Sequence, residues 1–88
     1  MTRREVTIVN ALGLHARAAA RFVHTASAFQ SQIRVTRGAR TMDGKSILGL
    51  LLLSAGRGTV IEITADGPDE QQAIDALAGL AARGFEAP

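Results

Sequence analysis

The core of this chain has to be closed almost entirely with aliphatic side chains. Its 88 residues contain no Cys, Tyr or Trp and only three Phe, yet 47 % of them are hydrophobic and 20 % charged. That is the balance of a folded chain and not of a disordered one. A chain this short buries only about 60 % of its unfolded surface, so one domain over residues 1–88 is expected, packed with Ala, Leu, Ile and Val. The absence of Cys also excludes disulfides, thiolate metal sites and a cysteine nucleophile.

The hydrophobic pattern alternates between period two and helical spacing. Glu5-Val6-Thr7-Ile8-Val9 reads as a strand with Val6 and Ile8 inward, ending at Asn10. Residues 16–29 change to a helix, with Ala19, Phe22, Val23, Ala26 and Phe29 on one face and Arg17, Arg21 and His24 on another. Ile33 to Arg37 returns to strand spacing, and Gly38-Ala39 predicts a hairpin into a short strand from Arg40 to Met42. A short helix is expected from Ile47 to Leu53 with Ser46 as N-cap, ended by Gly56 and Gly58. Val60 to Ala65 is the clearest strand, with Ile61, Ile63 and Ala65 on one face. After the Asp66-Gly67-Pro68 turn, Asp69 and Gln72 predict a capping box for a last helix. Ala73, Ile74, Leu77, Leu80 and Ala81 form its buried stripe, and Gly84 stops it. The order βαββαβα predicts an α+β sandwich of two layers, one sheet with the helices on one face.

Charge is unevenly placed. The pI near 10.5 reflects nine Arg among the ten basic residues, since the net charge is only +2. Residues 1–44 carry seven Arg against Glu5 and Asp43, whereas residues 45–88 carry Lys45, Arg57 and Arg83 against six acids. A basic first half suits an anion or an acidic partner. The longest apolar run, Ile47 to Leu53, is seven residues, against the roughly 18 a membrane helix needs. Asn10, His15 and Arg17 interrupt any export-signal pattern, so a cytoplasmic protein without membrane association is expected.

Gly13-Leu14-His15-Ala16-Arg17 is the stretch that carries chemistry. Gly13 permits a tight loop exit, and His15 falls where the first helix begins. Such a point presents unpaired N–H groups and about half a positive charge, which suits an anion. The positive end favours neutral imidazole, the nucleophilic form, and the same dipole with Arg17 opposes the negative charge of a phosphoryl group once His15 carries one. The guanidinium fork of Arg17 fits phosphate geometry. A solvated, incidental His-x-Arg string is the plainer reading of the same residues, and for His24 a solvated helix position is the plain one. Two His without a third ligand make no metal site, and no cofactor is expected. The helix Ile47–Leu53 is apolar all round, so Leu50 and Leu53 are expected inward, leaving Ile47, Leu48, Leu51 and Leu52 for a partner.

Together, Gly13-Leu14-His15-Ala16-Arg17, Lys45-Ser46-Ile47-Leu48 and Gly67-x-Asp69-Glu70 in a βαββαβα chain resemble HPr, the histidine-containing phosphocarrier family of the bacterial phosphotransferase system. The resemblance covers nearly the whole chain. It implies an open-faced sandwich with a four-stranded antiparallel sheet and three helices. It implies a phosphohistidine relay in place of an enzyme's turnover: His15 accepts a phosphoryl group at Nδ1 from phospho-enzyme I and passes it to an enzyme IIA-type acceptor. Arg17 then supports the transfer, the Ala16 and Ala18 positions bind phosphate, and Arg21, His24, Ile47, Leu48, Leu51 and Leu52 dock partners. Ser46 matches a serine modified by a regulatory kinase and phosphorylase in some bacteria. A monomer is expected.

One departure stands out. The family usually has Pro after the Arg, and here Ala18 follows Arg17. Proline would pre-set φ and lack an N–H; Ala18 restores one donor at the site. Gly56-x-Gly58 and Gly84-Phe85-Glu86 are similar to the nitrogen-related branch, Lys45-Ser46-Ile47 to the branch under the serine kinase. Two other classes fit the bare residues. A small acylphosphatase-like hydrolase would use Arg and helix amides on phosphate, and a basic nucleic-acid-binding module would use the arginine-rich half. The second lacks stacking aromatics and any RNP-type or zinc motif.

Overall fold

The computed structural model describes residues 1–86. Seven elements follow in the expected order: β1 (Thr2–Thr7), α1 (Ala16–Ser27), β2 (Gln32–Arg37), β3 (Arg40–Asp43), α2 (Ile47–Leu52), β4 (Val60–Asp66) and α3 (Glu70–Ala82). The strands form one sheet in the order β1-β4-β2-β3, and every neighbouring pair is antiparallel. The last strand in the sequence, β4, therefore lies between β1 and β2 and pairs with both. Gly38 and Ala39 make the two-residue turn that leaves Arg37 opposite Arg40.

Period two decides which sheet face is covered. Ile33 and Val35 of β2 and Ile61, Ile63 and Ala65 of β4 are all buried, while Arg34, Glu62 and Thr64 point to the open face. The three helices pack on the buried side. From α1 come Ala18, Ala19, Phe22 and Ala26, from α2 Leu50, and from α3 all five residues of the expected stripe. Each fully buried Ile, Leu or Phe contributes about 1.5–3 kcal/mol, and small Ala faces on α1 and α3 let the helices sit close to the sheet.

Several boundaries differ from the sequence reading, each for a physical reason. β1 starts at Thr2 and ends at Thr7, because β4 pairs with it from Thr2↔Ala65 to Thr7↔Val60. Its first half alternates without apolar residues, so periodicity could not reveal it. Ile8 is still buried, and its backbone continues to Thr59 and Gly58 through hydrogen bonds of 2.9 and 2.7 Å. α1 ends at Ser27, short of Phe29, and its last amides shift to tighter i→i+3 bonds, with Phe29 N–H to Ala26 O at 3.1 Å. Leu53 is the C-cap of α2 and is buried as expected.

The Asp69–Gln72 capping box does not form. Asp69 occupies the N-cap position of α3, but its carboxylate makes no cap bond. It accepts instead from the backbone N–H of Gln30 at 2.9 Å, from Ser31 N–H at 3.0 Å, and from the Ser31 hydroxyl. Ser31 is fully buried and its hydroxyl needs a partner, so the long-range bond outcompetes the local cap. The Ser31 hydroxyl, then the Gln30 amide, hold the Asp69 carboxyl below the usual carboxylate range. Glu70 reaches back to Gly67 N–H at 3.3 Å in its place.

α3 closes through a Schellman turn. Gly84 N–H bonds Ala81 O at 3.0 Å and Phe85 N–H bonds Leu80 O at 2.9 Å, with Gly84 at φ 66°. The turn carries Phe85 into the core, where it is 1 % exposed. The sequence reading placed no core residue after Gly84.

Candidate functional site

The loop between β1 and α1 is built to present His15. Asn10 Nδ2 donates to Gly13 O at 2.6 Å, and Gly13 N–H returns to Asn10 O at 3.1 Å. Gly13 sits at φ 66°, and a Cβ there would come within 2.5 Å of Ala55 O, so no other residue fits. The next residue pins the loop: Leu14 N–H donates to Ala55 O at 2.8 Å and its side chain is buried. His15 follows this pinned point with only its backbone committed, since its carbonyl accepts from Ala19 N–H at 2.8 Å.

His15 occupies the N-cap position of α1 at φ −79° and ψ −179°, and its side chain makes no capping bond. An N-cap side chain ordinarily accepts from the second or third helical N–H. Here the amides of Ala16, Arg17 and Ala18 have no acceptor among the described residues, and the first turn holds no acidic side chain. The result is a positive helix end with its donors free, beside a half-buried imidazole. Leu12, His15, Arg17, Ala18 and Arg21 line a pocket of about 150 Å³ with Gly84, Phe85 and Glu86. The structure thus brings together His15, Arg17, Ala18 and Arg21, with Ala16 exposed at its edge.

Arg17 is exposed. Arg21, expected at a docking surface, is part-exposed and also tied to the chain beyond α3: Nη1 donates to Phe85 O at 2.7 Å and lies 3.7 Å from the Glu86 carboxylate. His24 is exposed one turn further and borders a groove of about 440 Å³ between α1 and α3, with Arg17, Arg21, Leu80 and Arg83 around it. Sequence reasoning missed the contribution of Gly84–Glu86 to the pocket. Phe85 after a helix-stopping Gly was the available signal.

At the start of α2 the arrangement is the opposite. Ser46 is the N-cap, and its hydroxyl accepts from Gly49 N–H at 3.0 Å. Leu50 and Leu53 are buried, whereas Ile47, Leu48, Leu51 and Leu52 are 42, 68, 37 and 51 % exposed. Arginines of the β2–β3 hairpin hold the far end of this helix: Arg40 donates to Leu52 O at 2.8 Å and Arg37 to Leu53 O at 3.0 Å. Cations there complement the negative helix end, and neither contact was foreseen. α1 and α2 pack on each other; the His15 loop meets the segment after α2 through Leu14 N–H to Ala55 O, and the start of α2 meets the end of α1 through Lys45 Nζ to Phe29 O at 2.8 Å. Among the described residues no helix is long and apolar enough to cross a membrane, and no group of acidic residues and His could hold a metal ion.

Fold and site together define a small open-faced α+β protein that displays a histidine at an uncapped helix start. The family model described as "PTS HPr component phosphorylation site" matches residues 2–83. The phosphocarrier protein HPr of Cupriavidus necator is 48 % identical over 85 residues, 97 % of this chain and 96 % of that protein. That of Pseudomonas aeruginosa is 44 % identical over 87 residues, 98 % and 97 % of the two chains. Among solved structures, HPr-C-His from Thermoanaerobacter tengcongensis matches with a TM-score of 0.92 at 42 % identity, covering 100 % of both chains. The chain belongs to the HPr family, the phosphocarriers of the bacterial phosphotransferase system. The hydrolase and nucleic-acid readings give way to that finding.

Proposed function

We propose that this protein carries a phosphoryl group on His15, taking it from phospho-enzyme I and passing it to an enzyme IIA-type acceptor in the cytoplasm. The observation that carries the reading is the vacant cap of α1: an imidazole at the N-cap, free amides behind it and Arg17 beside it. The Nδ1 lone pair forms the bond to phosphorus as the bond between phosphorus and its donor breaks, and the ring proton stays on Nε2. The phosphoryl oxygens then take the place of the missing capping side chain, accepting from first-turn amides near Ala16 and Ala18 and from the Arg17 fork. The protein forms and loses this bond as one station in a relay and does not itself turn over a substrate. It acts as a monomer, with residues 1–88 as one domain.

Docking falls to the exposed side of α1 and α2, with His24 at one end and Ile47, Leu48, Leu51 and Leu52 at the other. Ser46 is the regulatory position, because a phosphate at a helix start is tolerated by the dipole yet adds charge to the docking side. Incubation with phosphoenolpyruvate and enzyme I, read by intact mass, tests the proposal. The protein should gain one phosphoryl group that is lost in acid and survives base. His15→Ala should abolish the gain while stability stays within about 0.5 kcal/mol, the usual range for a surface change. A phosphoryl group that persists in His15→Ala would overturn the assignment.

A further inference from the structure

Beyond α3 the chain folds back toward α1. Phe85 is buried at φ 64°, a left-handed conformation that non-glycine residues hold only when the surroundings fix it. Two hydrogen bonds do so: its N–H to Leu80 O at 2.9 Å, and its carbonyl to Arg21 Nη1 at 2.7 Å. The following residue brings a carboxylate to the same nitrogen, with Glu86 Oε2 3.7 Å from Arg21 Nη1. This tail is one wall of the pocket that holds His15 and Arg17. Arg17 and Arg21 lie one turn apart on α1, a spacing at which like charges repel. Glu86 is the acid that offsets them while the pocket is empty.

A phosphoryl group reverses that balance. It brings about 1.5–2 negative charges and three acceptor oxygens, so the two arginines become favourable and Glu86 becomes a like charge. Resting on the reading that His15 is phosphorylated, we propose that Arg21 is a positioning residue for the phosphoryl group and that Glu86 is its exchangeable counter-ion. In the free protein Arg21 holds the tail and pairs with Glu86. When His15 is modified, the guanidinium keeps the Phe85 carbonyl and turns its remaining N–H groups from the carboxylate to the phosphoryl oxygens. Five donors in a planar fork allow both contacts.

The signature is a pair of substitutions with opposite effects. Phosphoramidate serves as the phosphoryl donor at low salt, so that no partner has to dock, and mass spectrometry follows the modification of His15. Glu86→Gln should raise the rate about two- to five-fold, the scale of a partly exposed charge pair. Arg21→Ala should lower it by a similar factor, with Arg21→Lys recovering part of the loss. Both differences should shrink at high salt. The Arg21 side-chain N–H resonances should shift on phosphorylation of the wild type. If Glu86→Gln and Arg21→Ala both slow the reaction, the tail is only a packed wall and the exchange is wrong. If both leave it unchanged, Arg21 plays no part at all. A folded wild type that phosphoramidate does not modify at His15 would remove the phosphocarrier reading itself, a result distinct from either of these.

Discussion

The starts of α1 and α2 solve the same problem in opposite ways. Both leave amides that need acceptors. At α2 the Ser46 hydroxyl supplies one, 3.0 Å from Gly49 N–H. At α1 the cap residue is His15, which supplies none. A third start, that of α3, also lacks a side-chain cap, because Asp69 accepts from Gln30 and Ser31 instead, but there Glu70 places an acid in the first turn and reaches back to Gly67. A completed cap stabilises the fold; an incomplete one leaves binding capacity. Of the two starts without a side-chain cap, that of α1 alone carries a histidine and no acid in its first turn, which is the ground for proposing the chemistry there.

The largest effect that sharpens the comparison should come from Arg17. If its fork completes the vacant cap around the phosphoryl group, Arg17→Ala should slow transfer to His15 about ten- to a hundred-fold, the worth of hydrogen bonds to a charged group. Arg17→Lys should recover only part, because lysine brings the charge without the fork. Equal rates for the three proteins would reduce Arg17 to a surface charge.

Leu48 tests the docking role proposed for the capped helix. It is 68 % exposed, so Leu48→Glu should weaken binding to enzyme I by about tenfold, the size of one moderate interface residue, while the melting temperature holds. Loss of folding in that variant would mean that Leu48 supports the core and that partners bind elsewhere.

At Ser46 the two helix starts can be made to interact. Ser46→Ala should cost about 1 kcal/mol, the ordinary value of a lost cap, with phosphoryl acceptance unchanged. Ser46→Asp keeps an acceptor and should match or exceed wild-type stability. Its charge should nevertheless slow phosphorylation of His15 several-fold at low salt, and salt should relieve part of the deficit. Unchanged kinetics in Ser46→Asp would leave Ser46 a capping residue only.

The smallest effect concerns the third start. Thr2 donates to the Glu70 carboxylate at 2.6 Å, the Met1 ammonium lies 3.0 Å away, and Gly67 N–H adds a third contact, which together lower the Glu70 pKa from 4.5 to about 2. A carboxylate with a lowered folded-state pKa contributes stability above its unfolded value and loses it as the pH falls through the folded one. The contribution should be complete above pH 4.5 and fade toward pH 2. Asp69 adds to the same acid-side loss, since its pKa is also lowered. Thr2→Ala should flatten part of the decline in melting temperature over that range, whereas His15→Ala should leave the profile as it is.

What the sequence made legible was set by range. The stripe of α3, the β2–β3 hairpin and the Ser46 cap depend on residues within a few positions of one another, and all three stand as read. The Asp69–Gln72 box had equally good local spacing, but it lost to Ser31, 38 residues away. The first half of β1 is strand because β4 pairs with it, although Thr2, Arg3 and Arg4 show no apolar alternation. The site divides in the same way. His15 and Arg17 share one short motif and were legible from it. The wall made by Gly84–Glu86 and the anchoring of Arg21 rest on contacts across 64 residues, which no local pattern encodes.

The hydrogen bond from Leu14 to Ala55 has a kinetic consequence. It fastens the residue before His15 to the segment that follows α2, so the loop and the leucine-bearing helix are already in register before any encounter. An encounter surface assembled in advance has little to rearrange, and association is then limited by diffusion and orientation rather than by loop ordering. Affinity can stay modest and residence times short without loss of speed wherever the interface is small. Lengthening the Gly13–Leu14 turn by one residue would loosen that fastening and should slow association with enzyme I, by making each encounter wait for the loop.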